Sequence, residues 1–287
     1  MTAVRTSDLV QAAGMAGEAV FAFNVITVEH AEGIVAGAEA AETAVILQLS
    51  ENTVGFHGGR LAPLLAACAA LAATSHVPLA LHLDHFTDPS LIATALAGAA
   101  DFGVSSIMVD AAHLPYEANV ERTREWSTAA HAAGLWVEAE LGEIGGKKGA
   151  HAAGARTDPD EAADFVRRTG VDALAVAVGS SHAMATRDAD VDIALTAALA
   201  AAVPVPLVLH GGSGVSDELL NAVVRAGVRK LNVGTALNIA FTAAVRDHLG
   251  RHPDGNDPRG YLAAGRDAVA EAVTRLCRAV KPESATR

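Results

Sequence analysis

Short apolar runs, each closed by a polar residue and followed by a longer alanine-rich or amphipathic stretch, recur along the whole chain. The clearest is Leu79-Ala80-Leu81-His82-Leu83-Asp84-His85, which reads as a strand with a carboxylate and a histidine at its carboxyl end. Similar runs lie at 20–25, ending near Asn24, and at 44–49, followed by the polar turn Ser50-Glu51-Asn52. Further runs follow at 106–109, before Asp110, and at 135–141, where Glu138 and Glu140 share one strand face and Val137 and Ala139 the other. The last three lie at 174–178, before Gly179-Ser180-Ser181-His182, at 206–209, before His210-Gly211-Gly212-Ser213-Gly214, and at 228–233, before Gly234-Thr235.

Helical stretches separate these strands, at about 7–16, 29–40, 61–74, 116–133, 191–202 and 217–226. Two more open at Asp88-Pro89 and Asp158-Pro159, with proline at the favoured first helical position. Eight strand-helix alternations predict a parallel sheet closed into a (β/α)8 barrel, a TIM barrel, within one domain spanning 1–287. An open doubly wound sheet is the alternative, but it gathers polar residues at one switch point, whereas here they mark nearly every strand end. The opening helix is additional to the barrel, and residues 237–287 form a C-terminal helical extension broken at 250–259. That extension is expected to pack outside the barrel and on a neighbouring subunit.

Composition narrows the class. The 287 residues are 51% hydrophobic and only 4% aromatic, so the core is built from small and branched aliphatics. A net charge of -12 argues against general binding to nucleic acid or an anionic membrane, so an anionic ligand needs a local site. The amino terminus lacks signal-peptide organisation, and no apolar run is long enough to span a membrane. Cys68 and Cys277 sit in apolar helical stretches away from metal-ligand spacing, which predicts buried reduced thiols in a cytoplasmic protein.

One histidine at a strand end reads as a hydrogen-bonded loop residue. Three in the same topological position, His85, His182 and His210, read as one site, and three is the number of protein ligands a catalytic zinc keeps. His82, one residue pair further into the barrel, suits a supporting hydrogen bond. His57, His76, His113, His131, His248 and His252 read as surface or helix residues. The glycine-rich turns 211–214 and 234–235 follow the seventh and eighth strands, where barrels hold phosphate on backbone N–H groups and a helix amino terminus. Two buried carboxylates on the fifth strand demand cations or donors facing them.

Together, Phe23-Asn24, Leu81-His82-Leu83-Asp84-His85, Glu138-Ala139-Glu140-Leu141-Gly142, the His182 turn, His210-Gly211-Gly212-Ser213-Gly214, Asn232-Val233-Gly234-Thr235 and Asn256-Asp257-Pro258-Arg259 resemble, in order, the motifs of the class II, metal-dependent ketose-bisphosphate aldolases. The resemblance implies a lyase that splits fructose or tagatose 1,6-bisphosphate, or a related ketose phosphate, into dihydroxyacetone phosphate and an aldehyde. It implies zinc on His85, His182 and His210, with Glu140 near the metal and Asp110 able to hold a second divalent ion. Asp84 is then the proton-transferring acid and base, and Asn232 the hydrogen-bond donor to the enediolate. Asn24, Ser50, Gly211, Gly212, Ser213, Gly234 and Thr235 contact substrate, and Arg259 reaches the far phosphate in a neighbouring subunit of a homodimer or homotetramer. Backbone carbonyls near His182 and Gly211 are implied as a site for Na+ or K+.

The chain departs from the family in its mobile loop. The acidic residue expected two positions after the glycine pair is replaced, since Gly145-Gly146 is followed by Lys147-Lys148. Glu143, His151 and Lys148 become the candidate bases, with Glu143 first because carboxylate chemistry is preserved, and solvent or Glu140 serving as base is the alternative. Ala183 also stands where a glycine is usual. The competing readings are a metal-dependent barrel hydrolase or isomerase of a phosphorylated sugar, and a non-catalytic aldolase-like partner subunit.

Overall fold

A computed structural model describes residues 3–142, 156–181 and 184–280. Chain order is α1 (Thr6–Ala16), β1 (Val20–Asn24), α2 (Val28–Ala40), β2 (Val45–Ser50), α3 (Glu51–Phe56), α4 (Ala62–Thr74), β3 (Leu79–Phe86), α5 (Pro89–Gly98), β4 (Val104–Val109), α6 (Tyr116–Ala132) and β5 (Trp136–Leu141). It continues with α7 (Pro159–Thr169), β6 (Ala173–Val176), α8 (Ile193–Ala202), β7 (Leu207–Leu209), α9 (Asp217–Ala226), β8 (Val228–Val233), α10 (Thr235–Arg251) and α11 (Pro258–Ala279). The strands pair in parallel in sequence order, and β8 closes on β1 through Phe21 and Leu231, so the sheet is the expected closed barrel. Among the described residues, no helix is long and apolar enough to cross a membrane.

The strands divide by size and polarity. Phe21, Phe23, Leu47, Leu49, Leu81, Leu83 and Ile107 join the large cluster between sheet and helices. Alternate positions face the barrel axis, where Ala22, Ile46 and Ala80 form one small cluster with Val10 of α1, and Ala173, Ala175, Ala177 and Val208 another. Small interior residues leave volume in which Gln48, His82, Glu138 and Lys230 are fully buried. The amino-terminal helix packs across one mouth of the barrel: Thr6 is buried, and its hydroxyl hydrogen-bonds those of Ser105 and Ser106 at 3.0 and 2.6 Å.

Three helix starts are set by an aspartate before proline. Asp88 accepts from the Ser90 and Leu91 amides, and Asp158 from those of Asp160 and Glu161, each beside a proline at the first helical position. Asp257-Pro258 opens α11 in the same way. Residues 50–52 are a correction. They do not form a turn: Ser50 caps α3 by accepting from the Thr53 amide, and Glu51 and Asn52 are its first turn. The polar cluster that looked like a strand-ending turn is a capping signal, which uses the same residue types.

The carboxyl-terminal extension lies outside the barrel, with α11 against both α2 and α10. Gly33 and Gly37 permit this approach. A Cβ on Gly33 would come within 2.6 Å of the Arg266 carbonyl oxygen, and one on Gly37 within 2.5 Å of that of Ala270. Thr274 donates to the Gly37 carbonyl and Arg278 to that of Ala40, fastening the far end of the contact.

Candidate active site

The carboxyl ends of the strands surround an open cleft lined by Asn24, Gln48, Asp84, His85, Gly211, Ser213, Asn232, Gly234 and Thr235. Strict alternation on β3 would turn Asp84 inward and His85 outward. The β3–β4 register shifts between Leu83 and Phe86, and His85 adopts a left-handed backbone with φ of 54°. This irregularity brings two adjacent side chains to the same site, and the left-handed conformation is strained for a residue with a Cβ.

Donor atoms of Asp84, His85 and His210 lie within 4.8 Å of one another, as do those of His85, Asp110 and Glu140. The His85 and His210 rings meet edge to face with centroids 4.6 Å apart. Imidazole nitrogens with carboxylate oxygens suit a divalent cation of the zinc type, so this set fits the implied metal. Each ring is held from behind by a carboxylate. His85 Nδ1 is 2.8 Å from Asp110, and His210 Nε2 is 2.9 Å from Glu138, the arrangement by which proteins orient metal-binding histidines. His210 Nδ1 is 3.3 Å from Glu140. His182 and Glu143 lie outside the described residues, as do Lys147, Lys148, His151 and Ala183.

Charge is dense here. Burial works against the His210 imidazolium, but Glu138 and Glu140 hold its pKa up to about 9. Burial would raise the Asp84 carboxyl, yet His85, His210 and Lys230 keep it below the usual carboxylate range. Burial pushes His82 down to about 3, helped by Lys230, so His82 is a neutral partner of Ser106, 2.8 Å away, which in turn bonds Thr6 of α1. Asp84 accepts from Asn24 Nδ2 at 3.0 Å and lies 3.4 Å from Asn232 Nδ2, while Gln48 Nε2 donates to Asn24 Oδ1 at 3.0 Å.

The opposite wall is made by the two glycine turns. Gly211 has φ of 69°, and a Cβ there would sit 2.3 Å from the Ser181 carbonyl oxygen. Gly212 packs on the Asn232 carbonyl rather than lining the cleft. Ser213 Oγ accepts from the Ala236 amide, tying the first turn to the start of α10, whose N-terminus with Thr235 faces the cleft. Backbone N–H groups at a helix start favour an anion such as phosphate. Ser50 is beside the cleft in register with Asp84, but its hydroxyl serves the α3 cap and it is not a lining residue. Arg259 begins α11 with its side chain 90% exposed and its guanidinium on Asp257, outside the lining of this cleft.

Two site residues escape a reading based on strand ends. Gln48 lines the cleft from within an apolar run, and Lys230 is fully buried 2.7 Å from Glu138. The available signal was a lysine in a strand otherwise read as buried, facing two carboxylates that required a cation. A further buried histidine, His30 on α2, stacks on Phe241 at 4.6 Å and belongs to helix packing.

Known proteins share this architecture over nearly their whole length. The YdjI aldolase from Escherichia coli K12 is 28% identical, with 99% of each chain covered and a TM-score of 0.81. A candidate fructose-1,6-biphosphate aldolase from Coccidioides immitis is 28% identical over 96% of each chain, with a TM-score of 0.86. The fructose-bisphosphate aldolase of Campylobacter jejuni, 22% identical over 97% of this chain and 95% of its own, shares the fold with a TM-score of 0.82. The family model for class-II fructose-bisphosphate aldolase matches residues 4–284, and on that match the chain belongs to the class II aldolase family.

Proposed function

We propose that the protein is a zinc-dependent lyase that reversibly cleaves a ketose (bis)phosphate, fructose or tagatose 1,6-bisphosphate being the leading candidates, into dihydroxyacetone phosphate and an aldehyde. The observation that carries this reading is the meeting of Asp84 with His85 and His210 at one end of a cleft whose other wall is a phosphate-type helix start. His85 and His210, with His182 as the third ligand, would hold the cation, and Glu140 and Asp110 border them. A divalent ion there supplies Lewis-acid polarisation of the ketose carbonyl.

The protein groups do the remaining work. Asp84 takes the proton from the C4 hydroxyl as the C3–C4 bond breaks, and returns it to the aldehyde oxygen in condensation. Asn232 donates to the enediolate oxygen. Gly211, Ser213, Gly234 and Thr235 hold the phosphate through backbone and hydroxyl donors, with Asn24 beside them. Glu143 delivers the proton to C3 of the enediolate from the loop. In this reading the protein is a cytoplasmic homo-oligomer, a dimer or tetramer, in which Arg259 of one copy meets the far phosphate bound to another.

The test compares cleavage of the two epimeric bisphosphates before and after chelation. Chelation abolishes cleavage and zinc or cobalt restores it; full activity without bound metal overturns the reading. Borohydride traps no lysine adduct, because no Schiff base forms.

A further inference from the structure

Lys230 is fully buried in the barrel interior, yet the catalytic scheme leaves it unused. Its ammonium donates to Glu138 Oε2 at 2.7 Å and to Asn232 Oδ1 at 2.9 Å. An ammonium has no acceptor atom, so the amide of Asn232 must present its oxygen to Lys230 and its nitrogen to the cleft, where Nδ2 faces Asp84. The same ammonium makes Glu138 the carboxylate of a fully buried ion pair, accepting at Oε2. An ionised carboxylate only accepts, so Glu138 Oε1 requires the proton of His210 on Nε2, and Nδ1 is the nitrogen turned toward Glu140.

We propose that Lys230 is a positioning residue whose buried ammonium, bonded to Glu138 and Asn232, sets at once the ring orientation of His210 and the amide orientation of Asn232. Metal binding and enediolate recognition are thereby oriented by one cation on β8. This rests on the proposed aldolase reaction for the role of Asn232, but not for that of His210. A lysine that merely fills the barrel would be replaceable by a methionine of similar length; a lysine that sets two hydrogen-bond directions is not.

The experiment compares Lys230→Met with the double variant Glu138→Gln/Lys230→Met. Zinc affinity is read by chelator competition. Enediolate recognition is read, at saturating zinc, from binding of the hydroxamate analogue of dihydroxyacetone phosphate. Lys230→Met strands Glu138 without its cation and lowers zinc affinity about 10–100-fold. In the double variant no charge is stranded and the introduced side-chain amide oxygen can accept from His210 Nε2, so zinc affinity returns to within about threefold of wild type. Hydroxamate binding stays at least about tenfold weaker in both, because Asn232 has lost its anchor. Wild-type zinc affinity in Lys230→Met overturns the proposal, and so does a double variant that binds the hydroxamate like wild type. If Lys230→Met does not fold, the double variant carries the test. If wild-type protein binds no hydroxamate, the aldolase reading has failed and the zinc measurements alone decide the role of Lys230.

Discussion

His85 Nδ1 lies 2.8 Å from Asp110 Oδ2. The carboxylate accepts, so the proton is on Nδ1, and Nε2 is directed to the side where Asp84 lies 3.8 Å away. Asp110 therefore orients the ring of His85, whether or not it also meets a second cation. Asp110→Asn is expected to weaken zinc binding about 10–100-fold, measured by chelator competition. Unchanged affinity would show that β3 alone holds the ring in place.

Asp84 is held by two side-chain amides and kept ionised by neighbouring cations. Asp84→Asn keeps the volume and removes the proton acceptor, so kcat for cleavage should fall by about 10²–10⁴. Metal content by elemental analysis separates its roles: zinc retained at wild-type stoichiometry supports proton transfer, and zinc lost in parallel with activity makes Asp84 a ligand.

Proton exchange at C3 tests the loop. Solvent deuterium should enter dihydroxyacetone phosphate in wild-type protein and slow by about 10²-fold or more in Glu143→Gln. His151→Ala and Lys148→Ala serve as the alternatives. Exchange at the wild-type rate in all three removes the base from this segment.

The α2–α11 contact depends on the missing side chain at Gly37, where a methyl would collide with the Ala270 carbonyl and with Val273. Gly37→Ala gains helix propensity on α2 yet should lower stability by about 1–3 kcal/mol through overpacking. A thermal midpoint equal to or above wild type would mean that α11 shifts away at little cost.

Burial pushes the Cys68 thiol from its ordinary 9.0 up to about 12. Native protein should therefore resist an aromatic disulfide reagent at pH 8, with Cys68 reacting only on denaturation. The unfolded thiol ionises near 9 and the native one near 12, so this contribution to stability is present below about 9 and is lost as pH rises toward 12. Rapid modification of Cys68 in folded protein would contradict its burial.

The chain sequence by itself determined the order of strands and helices, because a parallel barrel makes each strand a short apolar run with its polar residues at one end. It also determined where helices begin at Asp88 and Asp158, since an aspartate before proline acts through bonds to the next few residues; the same signal at Asp257 lay inside a stretch read as a break. The histidines at the ends of β3 and β7 and both glycine turns were legible for the same reason. The Ser50 segment was ambiguous, because a cap and a turn draw on the same residues.

Only the tertiary structure decided which side chains meet. Asp84 and His85 are neighbours in sequence and should face opposite ways, and it is the register shift against β4 that turns both inward. Lys230 and Glu138 are 92 residues apart, and their contact exists because barrel closure sets β8 across from β5. Gln48 became a cleft residue through its bond to Asn24 on the adjacent strand. Local pattern records which residues favour an apolar face, but a hydrogen bond across the barrel depends on shear, register and the bulge. Those are properties of the closed sheet rather than of any one segment.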